Sequence, residues 1–234
     1  MSVLIGVVAV VAAVITYRFY ASVRRYRRME LIRTYSFPRG LLARLSEKYP
    51  NLTLKEAQLV SRGLRQFFIC KLMAKGNFVS MPSKVVDELW HEFILFTKQY
   101  DEFCRHAFGQ CLHHTPAVVL SSQTVANAGL RRAWWFACKE ESINPRLPTR
   151  VPLLFALDSK LAIPGGFRYV PDCSQFKDNK GDRGSSAANC ATDFHSRSYD
   201  GGTDGFGDSA SSTSGDAGSA DSGGSGCGGG SGGD

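Results

Sequence analysis

Apolar and polar positions divide the chain into three regimes. Residues 2–17 carry no charged side chain, and continuing through Phe19, Tyr20 and Val23 gives about 22 residues, or about 33 Å of helix, enough to cross a bilayer core. Arg18 falls near the end of this run, where its stem can lie along the helix while the guanidinium reaches the headgroups. Tyr17, Phe19 and Tyr20 form an aromatic belt at the same level.

The second regime has helical spacing. Thr53 and Glu56 form a capping box that predicts a helix start, with Ala57, Val60, Leu64, Phe67 and Phe68 on its apolar face and an end near Lys75-Gly76. A second helix is predicted from about Ser83. Its stripe, Val86, Leu89, Phe93, Phe96, Tyr100, Phe103 and Ala107, runs at spacings of three and four until Gly109 ends it. A third covers about Ser122 to Glu141 and stops before Asn144-Pro145, with one of Trp134 and Trp135 facing the core and the other flanking it. Pro152–Leu157 is apolar at too many successive positions to show a period, so helix and strand both remain open.

In the third regime, from residue 174, the pattern disappears. Gly, Ser, Asp, Ala and Thr dominate, and the only large apolar side chains are Phe176, Phe194, Tyr199 and Phe206. Such a segment cannot bury enough surface to offset its chain entropy and is expected to be disordered. The predicted class is therefore mostly α: a single transmembrane helix (1–23), a basic juxtamembrane segment (24–38), a compact helical domain (39–173) and a disordered Gly/Ser/Asp-rich tail (174–234).

Charge refines this picture. The formal net charge of +7 combines about −5 in residues 174–234, where nine Asp face four Lys or Arg, with about +12 in everything before them. Nothing basic precedes the apolar run in the sequence, whereas Arg18, Arg24, Arg25, Arg27 and Arg28 follow it. That order is the reverse of a secretory signal. By the positive-inside rule it predicts a single-pass protein of the inner membrane, with the N-terminus outside and the C-terminal domain cytoplasmic, where cysteines stay reduced. The arginine cluster, with Arg33 and Arg39 beyond it, is what this topology requires. No RRM, KH or zinc-finger spacing accompanies it, so the expected partners are the lipid bilayer and a membrane protein rather than nucleic acid. The seven cysteines are too thinly spread for a disulfide framework.

Candidate chemistry lies on the second helix and just after it, where four of the five histidines fall between His91 and His114. Imidazole and thiolate are preferred ligands of zinc and iron. On one unbroken helix His91 and Cys104 stand about 20 Å apart. Gly109 lies about 27 Å from His91, beyond the roughly 17 Å reach of the next five residues. His91 is thus predicted to be a separate polar position, with Asp87 one turn earlier accepting from its ring. Cys104, only about 7.5 Å of rise before Gly109, can meet a returning chain. The candidate metal ligands are accordingly Cys104, His113 and His114, for zinc or iron. Against this stand plain packing of the Trp90-His91 pair and a buried structural role for Cys104. The zinc-protease signature fails, because Leu95 occupies the position of its second histidine; GxSxG, the P-loop and GxGxxG are absent, and no catalytic residue is assigned.

The block Val86-Asp-Glu-Leu-Trp-His91, Thr97, Tyr100, Phe103-Cys104, Gly109 and Leu112-His-His-Thr-Pro116 resembles the WH…T..Y..FC…HH.P motif of the glycine-rich domain-containing proteins. Pro152–Asp158 and Gly166–Cys173 resemble a downstream block of that family, and the Gly/Ser tail is similar to the endings of its shorter bacterial members, although Cys227 is the lone cysteine of the final Gly-rich stretch. The resemblance covers roughly residues 50–173. It singles out Asp87, Trp90, His91 and Tyr100 as motif positions and implies no reaction, since the family has no established biochemical activity. Two functions follow as expectations. The first is a membrane-anchored helical domain that binds or scaffolds a partner. The alternative is a membrane-anchored metal- or thiol-dependent enzyme using Cys104, His113 and His114, with His91 and Asp87 as an acid/base pair.

Overall fold

The computed structural model describes residues 2–114, 123–171 and 189–190. Helix α3 (Leu54–Met73) is its centre: α1 (Ser2–Thr34), α2 (Leu41–Lys48), α4 (Lys84–Leu95), α6 (Gln123–Glu140) and α7 (Leu153–Lys160) all pack against it, while α5 (Thr97–Ala107) lies on α1 and α4. The fold is mostly helical. The start of α3 follows from its sequence, since Thr53 accepts from the Glu56 amide and Glu56 accepts in return from the Thr53 amide.

In α1 the apolar first half is uncovered, with Leu4, Ile5, Val8 and Ile15 all exposed, whereas Ile32 in its last turns is fully buried in the domain core. By length and composition this helix is able to cross a membrane; a signal sequence meets the same criterion. Residues 24–34 of the basic segment thus continue the same helix, and 35–38 lie beyond its end.

Two features depart from the sequence expectations, and a third resolves a choice they left open. The short helix α2 has only eight residues and buries Leu41 and Leu45, too little periodicity to register. Pro152–Leu157 resolves as helix α7, whose N-terminal amides are received from outside: Leu154 donates to Gln66 Oε1 (2.8 Å) and Leu153 to Glu141 Oε1. Most consequentially, the long second helix is two helices. It breaks at Phe96 (φ −80°, ψ 60°), and α5 folds back beside α4 so that Phe93 meets Tyr100 and Phe103 at ring-centroid distances of 5.2 and 5.5 Å. A straight helix over the same residues would run about 36 Å and could not bring both halves of its stripe onto one small core. Shared aromatic burial outweighs the backbone bonds lost at the break.

The start of α4 is held by α7. The buried carboxylate of Asp158 accepts from Ser83 Oγ (2.7 Å), the amides of Lys84 (2.7 Å) and Val85 (3.2 Å), and the amide of Phe167 (2.9 Å). Gly63 allows the close approach of α3, α4 and α7: a Cβ there would sit 2.3 Å from Leu157 Cδ1 and 3.1 Å from Val86 Cγ2. Of the Trp134-Trp135 pair, Trp134 is fully buried and Trp135 is half-buried. The expected disordered tail lies outside the described residues except at Asn189–Cys190 (β2), which pairs in parallel with Tyr169–Val170 (β1).

Candidate metal centre

Asp87 and His91 are one turn apart on α4 and share a face. Asp87 lies in the helix's first turn, where the positive end of the helix dipole favours a carboxylate. Because α5 folds back, the chain leaving it returns to this face. Gly109 (φ 81°) makes the turn, its amide donating to the carbonyls of Cys104 (3.1 Å) and Arg105 (3.0 Å). Residues 110–114 then run back towards α4.

Two motif residues fix that return. Trp90 Nε1 donates to Tyr100 Oη (3.1 Å), and the Tyr100 hydroxyl donates to the Leu112 carbonyl, two residues before His114. Burial pushes the Tyr100 phenol well above its ordinary pKa, so the hydroxyl stays protonated and able to donate. Trp90 then packs edge-on against the His114 ring at 4.6 Å. Removing the hydroxyl in Tyr100→Phe strands both the indole N–H and the Leu112 carbonyl. A loss of about 1–3 kcal/mol in unfolding free energy is expected, with faster amide exchange across residues 108–114; unchanged exchange there would deny the tether.

His114 Nε2 stands 2.9 Å from Asp87 Oδ1, His91 Nδ1 stands 4.0 Å from Asp87 Oδ2, and the two imidazole rings are 4.2 Å apart. The ligand atoms of Asp87, His91 and His114 all lie within 4.8 Å of one another. The side chains of His91 and Asp87 are 43% and 31% exposed and that of His114 only 14%, so the cluster is backed by Trp90 and opens to solvent past His91. Metal–nitrogen bonds of about 2.1 Å call for donor separations near 3 to 3.5 Å.

The candidates drawn from sequence are thereby regrouped. His114 joins His91 and Asp87, which spacing on a straight helix had separated from it. His113 is exposed, and Cys104 is fully buried in the aromatic core. The missed grouping hinged on the break at Phe96. Cys70 and Cys138 offer little nucleophilic chemistry: burial raises both thiols, that of Cys138 to about 12, so neither forms appreciable thiolate at neutral pH.

A family model described as UCP032817-like matches residues 27–194, a stretch that takes in the last turns of α1, the whole helical domain and the β1–β2 pairing. No curated protein and no solved structure matches the chain.

Proposed function

The chain belongs to the UCP032817-like family, and from the geometry of its motif residues we propose that it is a single-pass membrane protein whose cytoplasmic helical domain binds a divalent transition-metal ion, zinc or iron, through Asp87, His91 and His114. The observation that carries this reading is the convergence of two imidazoles and a carboxylate from α4 and the returning segment within 4.8 Å. Two nitrogens and one oxygen suit zinc or ferrous iron and leave coordination positions for water or a substrate. Trp90 and Tyr100, two of the motif positions, act here as positioning residues through the hydrogen bonds that run from the indole to the Leu112 carbonyl.

The anchor is supported by the continuity of α1: Ile32 is core, and Arg33 makes a bidentate pair with Glu140 at 2.9 Å, so the apolar half extends rigidly from the domain. The arginines that follow the apolar run favour the cytoplasmic side. A second reading, a metal-free general base in which Asp87 orients His114, is favoured by their 2.9 Å contact.

Elemental mass spectrometry of the full chain, purified in dodecylmaltoside without a histidine tag, separates these readings. About one equivalent of zinc or iron is expected in the wild type and in His113→Ala. His114→Ala and Asp87→Ala should bind at least about a hundredfold more weakly, since even outer-shell partners are worth ten- to a hundredfold. Metal-free protein throughout, from metal-supplemented cells, would transfer the cluster to the acid/base reading. Metal lost from Cys104→Ala and His113→Ala instead would restore the grouping drawn from sequence.

A further inference from the structure

A cavity of about 380 Å³ lies between the C-terminal half of α1 and the turns that end α3 and α5. Five cations face it: Arg24, Arg25 and Arg28 from α1, and Lys71 and Lys75 from the end of α3. No Asp or Glu occurs among its described lining residues, and none of the five is in an ion pair with a described residue. The left-handed turn at Lys75 (φ 51°) and Gly76 (φ 93°) delivers one wall, and Arg28 lies over Gly109, with Nη2 2.9 Å from where a Cβ would stand. We infer that this cavity takes the phosphate headgroup of an anionic phospholipid from the bilayer that α1 crosses.

Membrane topology explains arginines directly after an apolar helix but asks nothing of α3. Lys71 and Lys75 stand far along the chain from Arg24, yet the fold turns them into the same cavity. Burial, and then the Arg132 guanidinium, pull the Lys71 ammonium below the ordinary lysine pKa, a cost that a bound anion reverses. Helix ends do not supply the attraction, since α3 and α5 present their C-termini there. The larger cavity beside Arg33 and Arg150 differs, because Glu140 and Glu141 answer those charges from within.

The source is the bilayer because of where the cavity lies along α1. Tyr17 and Tyr20 also line it, and about 10 Å of helix rise from Tyr17 to Arg24 spans one headgroup layer, the level at which aromatic belts sit. This inference rests on the reading of α1 as a membrane span and is independent of the metal centre. Carbonate-resistant association of wild type and variants with membranes reports on the span alone.

The test is native mass spectrometry of the full chain in dodecylmaltoside, titrated with palmitoyl-oleoyl phosphatidylglycerol, its phosphatidylcholine analogue, or inorganic phosphate. Phosphatidylglycerol should be retained at least about tenfold better than phosphatidylcholine, and Lys71→Gln/Lys75→Gln should lose roughly tenfold of that preference. Arg25→Gln/Lys75→Gln, which alters only exposed side chains, should lose as much with unchanged circular dichroism. Equal retention of the two lipids, or wild-type retention by both variants, overturns the proposal. Displacement of phosphatidylglycerol by millimolar inorganic phosphate overturns the bilayer source and makes this a site for soluble phosphates.

Discussion

Asp158→Ala is expected to destabilise the domain by about 3–5 kcal/mol, a large part of the stability of an ordinary domain. The residue is 2% exposed, and its carboxylate is the acceptor for the Ser83 hydroxyl and for the amides of Lys84, Val85 and Phe167. Alanine removes every acceptor at once, leaving three main-chain donors and a hydroxyl in a place water reaches poorly, and it deletes the negative charge facing the N-terminus of α4. Asp158→Asn keeps the volume and one acceptor oxygen but turns an NH2 group towards an amide donor, so an intermediate loss is expected. Urea unfolding of the full chain in detergent, followed by tryptophan fluorescence, reads this cleanly, because all three tryptophans, Trp90, Trp134 and Trp135, lie in the helical domain. A wild-type midpoint for Asp158→Ala would mean that α4 is held by its core face alone. Asp87 sits one turn beyond these amides, so frayed capping should also weaken metal binding at the proposed centre.

The same elements explain what could be read from sequence. Thr53 and Glu56 announced α3 because a capping box is a local device, complete within four residues. The apolar run of α1 was equally legible, since its length and lack of charge are properties of a continuous stretch. The chemistry-bearing residues were legible as types, with Asp87, Trp90, His91, Tyr100 and His114 all singled out, but not as a grouping. No glycine or proline marks the break at Phe96. The break exists because Tyr35 and Phe37 from the α1–α2 connection and Phe68 from α3 gather Phe93 and Phe103 around them, contacts made across long stretches of chain. Spacing rules assume a straight helix and so placed His114 with Cys104. In α7 the pattern was unreadable for another reason: Leu154, Phe155, Leu157 and Asp158 are all buried, because α3, α4, α6 and β1 surround the helix and leave no polar face of ordinary width.

Phe68→Ala should bring a loss of similar size, about 3–5 kcal/mol, for a reason that also reaches the site. Phe68 is fully buried, and its ring centroid lies 4.9 Å from Phe103, 6.0 Å from Trp90, 6.1 Å from Phe108 and 6.4 Å from Phe93. One side chain of α3 therefore touches α4, α5 and Phe108, the residue that ends α5 just before the turn. Truncation removes transfer free energy, leaves a cavity that three helices cannot all collapse into, and deletes edge-to-face contacts with Trp90 and Phe108 and tilted ones with Phe93 and Phe103, aromatic pairs worth about 0.5–1.5 kcal/mol each when measured separately and not additive here. Phe68→Leu, which refills part of the volume, should cost markedly less, and Phe167→Ala, at a ring 47% exposed, should be near neutral. The consequence for function is specific. The rings around Phe68 are what make folding α5 back on α4 more favourable than continuing the helix, and that reversal carries His114 to Asp87 and His91. Under conditions where Phe68→Ala is still folded, its affinity for zinc should fall, although the substitution touches no ligand. Wild-type zinc affinity in a destabilised Phe68→Ala protein would mean that the Trp90–Tyr100–Leu112 tether alone fixes the site, independently of the aromatic core beneath it.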